Sequence, residues 1–220
     1  MLANGLISEA IPPLNYLDTI QKVLDRMDEF RVSHLPVLDD GVYLGVLSDD
    51  DLIEIADYSI SIKDADLRFN RVFIDQYQHI YDVIQVLSES HLSVLAVLDE
   101  NRSYLGVISI NTIIEYLGKI AAIKEPGGII VLEMDNKNSS LGHIAQIIEA
   151  ENTQILSSYI TSYMDSTRTE VTIKVNRTEI SGILAALGRY NYTVLATYNN
   201  IKEDSGAADR YDQLMNYLSI

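Results

Sequence analysis

The chain has 220 residues, 47% of them hydrophobic, no cysteine, and a formal net charge of −16. That length supports one or two domains with real cores, and the missing cysteine excludes disulfide frameworks, thiolate catalysis and cysteine-ligated zinc. Nucleic acids and anionic membrane surfaces are held by Lys and Arg, so an acidic chain with no run of about 18 apolar residues is expected to bind neither and to span no bilayer.

The first residues, Met1 to Glu9, lack a basic stretch before an apolar one, which argues against a signal peptide and for a cytoplasmic protein. Asp18-Thr-Ile-Gln21 has the character of a helix start and opens an amphipathic run through Val23, Leu24, Met27 and Phe30. Leu35–Leu38 reads as a short strand, Asp39-Asp-Gly41 as a hairpin turn, and Val42–Leu47 as the returning strand. From Ser48 a second helix is expected, carrying Leu52, Ile53 and Ala56. The order then recurs: a helix near 78–90, strands near 94–98 and 104–108, and a helix through Ile113, Ile114, Leu117 and Ile120.

The recurrence is a true internal repeat. Leu35-Pro-Val-Leu-Asp39 and Tyr43-Leu-Gly-Val-Leu-Ser48 return as Leu95-Ala-Val-Leu-Asp99 and Tyr104-Leu-Gly-Val-Ile-Ser109, and one inserted residue shifts the spacing from 60 to 61. Upstream, Leu17, Ile20, Val23 and Leu24 align with Tyr77, Ile80, Val83 and Ile84. Two copies of one small α/β unit packed as a pair are implied, with the functional surface between them.

This pattern, a helix, Leu-Pro-Val-x-Asp, a hairpin, Leu-Gly-Val-x-Ser and a closing helix, resembles the tandem CBS-domain pair known as a Bateman module, over residues 1–123. The resemblance implies sheet-to-sheet packing of the repeats and two clefts that bind adenosine-containing ligands in many members. It places ligand contacts on Gly45-Val-Leu-Ser48-Asp-Asp-Asp51, with the Asp51 carboxylate accepting from both ribose hydroxyls and Ser48 touching ribose or phosphate. A fixed carboxylate suits a cis-diol, which offers two donors side by side. Ser48-x-x-Asp51 before an apolar run is equally a helix capping box that needs no ligand.

In the second copy, Ser109-Ile-Asn-Thr112 puts Thr112 where Asp51 stands, and Ala96 replaces Pro36, so one competent site per pair is expected. The stretches Val32-Ser33-His34-Leu35, with Pro36, and Leu92–Leu95 are expected to offer backbone groups to an adenine edge, and Ile11 and Pro12 to wall the base, as their counterparts Arg71 and Val72 would. Arg31, His34, Arg71 and His91 are the candidate cations for phosphate. The expected regulatory ligand is AMP, ADP or ATP (the last with magnesium), with S-adenosylmethionine left open because basic residues are scarce.

The chain divides at Glu125-Pro-Gly-Gly128. Beyond it, a strand over Ile129–Met134, a helix over Leu141–Glu151, strands over Gln154–Tyr163 and Glu170–Val175, a helix over Arg177–Tyr190 and a strand over Thr193–Thr197 give the order βαββαβ. That order resembles the ferredoxin-like ACT domain, in which a glycine-bearing turn binds amino acids. Here the turn is Asn136-Lys-Asn-Ser139, and a role in pairing is favoured over amino-acid binding. The last twenty residues carry an apolar stripe at Tyr211, Leu214, Met215 and Leu218, which fits a short docking helix.

The fold class expected is therefore α/β (α+β), with CBS repeats over 1–60 and 61–125, an ACT-like domain over 126–200 and a tail helix over 201–220. No nucleophile elbow, P-loop or metal-binding histidine pair is present, and Asp49-Asp50-Asp51 reads as a solvated cluster favoured by a helix start. An enzyme and a metal site are not expected. A regulatory homodimer acting on an unidentified client protein is, with Met27, Ile53, Ile113 and Leu117 proposed as its shared face.

Overall fold

A computed structural model describes residues 1–134, 140–162 and 169–199. The turn at Asn136–Ser139 and the tail helix over 201–220 lie outside the described residues. The chain forms two compact units, Met1–Tyr116 and Leu117–Ile220.

In the first repeat, β1 (Leu14–Asn15) pairs in parallel with β2 (His34–Asp39), which pairs antiparallel with β3 (Val42–Ser48). Between β1 and β2 runs α1 (Ile20–Phe30), burying Ile20, Val23 and Met27. Thr19 caps it by accepting the Lys22 N–H, and Arg31 closes it in the left-handed conformation. The second repeat builds the same sheet from β4 (Phe73–Asp75), β5 (Val94–Leu98) and β6 (Tyr104–Ser109), with α2 (Ile80–Glu89) after β4 and α3 (Ile110–Ile120) after β6. His79 caps α2 through its ring, accepting from Tyr81 while Asp82 reaches back to the His79 N–H. The first hairpin turns on Asp40 and Gly41, both at positive φ. The inserted residue of the second is absorbed in a loop where the Asp99 carboxylate accepts from Asn101 and Ser103.

The repeats are interlaced rather than merely adjacent. The first N–H groups of α1, at Ile20 and Gln21, donate to the carbonyls of Ile60 and Tyr58, and that of Ile80 in α2 donates to Met1. Each lead-in segment thus serves the other repeat: Ala3 and Leu6 sit in the core of Ile74, Ile80, Val83 and Leu95. Ile62 sits with Ile20, Val23, Leu35 and Leu47. Val46 of β3 bridges to Asn70, and Val107 of β6 to Ser8. This explains the glycine in both Leu-Gly-Val motifs. A Cβ on Gly45 would stand 2.6 Å from the Phe69 Cβ, and one on Gly106 2.5 Å from the Ile7 Cγ2.

The helix expected from Ser48 is not formed. Only a single 3-10 turn, Asp50–Leu52, follows β3, leaving Leu52 buried and Ile53 74% exposed. Further along, the Asp57 carboxylate accepts from the N–H and hydroxyl of Ser59, and the Ser61 hydroxyl donates to Asp64 while accepting its N–H, so side chains organise the turns of this segment. The segment's carbonyls then serve α1. Of the expected shared face, Met27 and Ile113 are core residues, while Ile53 and Leu117 remain exposed, as does Ile114.

The second unit holds β7 (Gly128–Met134), α4 (Leu141–Ala150), β8 (Ile155–Ser162), β9 (Thr169–Val175), α5 (Ser181–Arg189) and β10 (Thr193–Asn199). Its antiparallel sheet runs in the order β10-β7-β9-β8. The two helices bury Ile144, Ile147, Ile148, Ile183 and Leu187 against Ile130, Leu132, Val171, Ile173 and Val175. A mixed α/β fold with a repeat pair and a further α+β portion is what the sequence pattern predicts.

Candidate functional site

At the ends of β2 and β3, antiparallel register sets His34 directly opposite Ser48. The Asp49 N–H donates to the Ser33 carbonyl, which folds the Asp49–Asp51 turn back over the start of β2. Within that turn Ser48 and Asp51 close on each other. The Asp51 Oδ2 accepts from the Ser48 N–H at 2.8 Å and from its hydroxyl at 2.6 Å, and the Ser48 Oγ accepts from the Asp51 N–H at 3.2 Å. The reciprocal bonds of a capping box are therefore made, but over a turn and not a helix, around a carboxylate that stays exposed and whose Oδ1 makes none of these bonds.

The second repeat repeats the geometry without the charge. Ser109 Oγ lies 3.0 Å from Thr112 Oγ1 and accepts the Thr112 N–H at 3.1 Å. Ser109 is buried and Thr112 half-buried. A threonine there completes a cap and offers a diol a single oxygen.

Ser33, His34 and Ser93 join these two ends. The Ser33 N–H donates to Ser93 Oγ at 3.1 Å, the Ser93 N–H donates to His34 Nδ1 at 3.2 Å, and Ser93 Oγ lies 3.2 Å from the same Nδ1. The Ser93 N–H bond needs an unprotonated Nδ1, which a neutral ring with its proton on Nε2 supplies. Burial holds the His34 pKa below the ordinary histidine value, against the opposing pull of Asp49, Asp51 and Asp50. A neutral ring beside three carboxylates is a poor phosphate cation.

The other expected contacts are spread more widely. Val32, Leu35 and Pro36 are buried, so only their backbone is available; β1 reaches no further than Val37, leaving His34–Pro36 without a strand neighbour on that side. Ile11 is half-buried against the first repeat's core, and Pro12 is half-buried. Arg31 and His91 hold equivalent left-handed positions after α1 and α2, both exposed. Arg71 lies at the opposite end of β3 from Ser48. There it lines a cleft of about 330 Å³ with Tyr43, Leu44, Phe73 and Arg102.

In that cleft the Arg102 guanidinium sits 4.4 Å from the Phe73 ring centre, and Tyr43 stacks on Tyr104 at 6.4 Å. Arg102 was not legible as a site residue, because it falls on the inserted position of the second hairpin. Ser93 enters the sequence reading only within Leu92–Leu95, as backbone; its alignment with Ser33 at the repeat spacing of 60 is the signal that could have found its side chain. Among the described residues no group of three His, Asp or Glu side chains is arranged to hold a metal ion, and no helix is long and apolar enough to cross a membrane.

Solved structures similar to this chain include a CBS domain pair/ACT domain protein from Thermotoga maritima, 22% identical, covering 54% of this chain and 98% of that one with a TM-score of 0.49. Another is CBSX2 in complex with AMP, 17% identical, covering 54% and 97% with a TM-score of 0.47. A third comprises the CBS domains of a transcriptional regulator from Streptococcus pneumoniae, 21% identical, covering 52% and 98% with a TM-score of 0.46. The family description of the CBS domain matches residues 5–58 and again 62–119, more than half of the chain, and the chain belongs to the CBS-domain family.

Proposed function

We propose that this is a non-catalytic regulatory protein whose CBS pair binds an adenosine-containing ligand of the AMP, ADP or ATP class at the Ser48–Asp51 end of the first repeat. The observation that carries the reading is the Asp51 carboxylate: exposed, oriented by Ser48, and with Oδ1 outside the cap. A ribose diol would take both carboxylate oxygens, displacing the Ser48 hydroxyl toward the ligand. Ser33, His34, Leu35 and Pro36 would flank the base, with Val32, Ile11 and Pro12 behind them. Ser109 and Thr112 would form the weaker, uncharged counterpart. Arg31 and His91 are the proposed phosphate contacts, and Arg71, in the cleft at the other end of β3, is set aside from that role.

We further read residues 126–200 as an ACT-like domain that pairs or relays, following CBS repeats over 1–60 and 61–125. That arrangement resembles the bacterial acetoin-utilisation accessory protein. The working form would be a cytoplasmic homodimer acting on a client protein, and ligand occupancy would shift its packing only by binding one arrangement more tightly than another. The closed Ser48–Asp51 cap favours a second reading, a dimeric scaffold whose clefts are vestigial. Amino-acid sensing would instead need the turn at Asn136–Ser139.

Thermal-shift screening against AMP, ADP, ATP, adenosine, S-adenosylmethionine and the amino acids separates these. A saturable rise in melting temperature with adenosine ligands supports the sensor. A rise with amino acids alone moves the function to the second unit, and no rise with any of them leaves the scaffold.

A further inference from the structure

The cleft at the hairpin end of β3 is cationic in a unit that is strongly acidic. Residues 1–116 carry 20 acidic and 7 basic side chains, yet the charged groups lining this cleft are Arg71 and Arg102, with no carboxylate beside them. Val42, Tyr43, Leu44, Phe73 and Leu98 form the rest of its wall, around about 330 Å³. An apolar and aromatic wall with a few convergent charged groups is the makeup of a small-ligand site.

Each arginine is held in place without using its side-chain donors. Asn70 exchanges both backbone hydrogen bonds with Val46, and the Val72 carbonyl accepts from the Tyr43 hydroxyl at 2.6 Å, so the backbone is pinned on both sides of Arg71. Arg102 takes a left-handed φ of 67°, and its N–H donates to the Asp99 carbonyl. Its guanidinium lies 4.4 Å from the centre of the Phe73 ring. A ring face attracts the cation but leaves its in-plane N–H groups to other acceptors. The Asp99 carboxylate, in the same loop, is turned to the N–H groups of Asn101 and Ser103. Among the described residues neither guanidinium forms an ion pair.

The first repeat serves as a comparison. At the spacing of 60, Ile11 and Pro13 stand where Arg71 and Phe73 stand, and the first hairpin, one residue shorter, has no arginine. It builds the same three-stranded sheet without them, so neither cation is a requirement of the fold.

We infer that this cleft is a ligand site in its own right, at the opposite end of β3 from Ser48 and Asp51, for a small organic anion. A carboxylate or phosphate bridges Arg71 and Arg102, whose planar forks suit either group, and an apolar body lies along Tyr43, Leu44 and Leu98. The site stands independently of the adenosine reading.

Phenyl phosphate and benzoate are the probes, titrated into the full chain by calorimetry at low salt, with benzyl alcohol as the uncharged control. At least one anion should bind saturably, with a dissociation constant below about 1 mM, and the tighter of the two identifies the anionic group. Arg71→Gln and Arg102→Gln should each weaken it at least about tenfold. Arg68→Gln removes the same charge outside the cleft and should stay within about twofold. Saturating AMP should leave the probe bound. No saturable binding of either anion, unchanged affinity in both cleft variants, or equally tight benzyl alcohol would overturn the inference. Displacement by AMP would overturn it as a separate site.

Discussion

His34 Nδ1 accepts the backbone N–H of Ser93 at 3.2 Å, and this bond ties the first repeat to the second where their equivalent segments meet. It exists only with the ring neutral. Burial, the larger effect, lowers the folded-state pKa, so the folded protein resists a proton that the unfolded chain accepts near 6.5. The contribution is complete above pH 6.5 and is lost as pH falls from there toward the lowered folded value. Thermal unfolding of the wild type should therefore weaken between pH 7.5 and 5 more than that of His34→Asn, which keeps an acceptor and cannot titrate. Parallel pH profiles for the two would refute the assignment.

Much of the first unit was legible because the repeat doubled every signal. The hairpin at Asp40–Gly41, the cap at the start of α1 and the register of β5 with β6 all follow from local chemistry written twice. What was not legible is what crosses between the copies. Gly45 reads as part of a ligand motif, yet its missing Cβ makes room for Phe69 and Asn70, which local pattern cannot reveal. The helix expected after Ser48 gives way to a single 3-10 turn over Asp50–Leu52, and the segment beyond it lends the carbonyls of Tyr58 and Ile60 to α1. Met27 and Ile113 were misplaced on a shared face because helices with apolar residues on several sides do not declare which side is inner. The sequence pairs Ser48 with Asp51, as the turn after β3 does, but gives no sign of the contact between His34 and Ser93, which depends on how the repeats meet.

The close approach at Gly45 gives a stability prediction with an internal control. Gly45→Ala combines a φ of +148° with a Cβ 2.6 Å from the Phe69 Cβ, and should destabilise by about 2–3 kcal/mol. Gly188→Ala lies in α5 with nothing within 4 Å, and should stabilise by about 0.5 kcal/mol. Urea unfolding followed by circular dichroism measures both. A neutral Gly45→Ala would mean that the two repeats do not interlace as described.

The proposed homodimer rests on exposed apolar side chains of α3 and the turn after β3. Ile53 and Ile114 are 74% and 60% exposed, apolar side chains that a twofold partner would cover. Light scattering of the 24.7 kDa chain should give twice that mass, and Ile114→Asp should return it to monomer at micromolar concentration. A wild type that is already monomeric at that concentration removes the dimer from the proposal.

The two repeats differ most usefully at Asp51 and Thr112. Each follows a serine by three residues and closes the same cap, but only Asp51 carries a charge. If ribose binds there, Asp51→Ala removes an acceptor from two hydroxyls. Hydrogen bonds to a charged group contribute about 1.5–3 kcal/mol each, so affinity for AMP should fall at least about tenfold by calorimetry. Thr112→Ala should leave it within about twofold, because a lone hydroxyl forms no clamp. Losing the Asp51 cap costs about 1 kcal/mol of local stability on its own, and that loss has to be separated from lost binding. Asp51→Asn does so: it keeps the size and one capping oxygen while removing the charge and the second acceptor. Binding lost in both Asp51 variants, with Thr112→Ala unaffected, is the expected pattern. Equal affinity across wild type, Asp51→Ala and Asp51→Asn would show that Ser48 and Asp51 do no more than close the turn after β3.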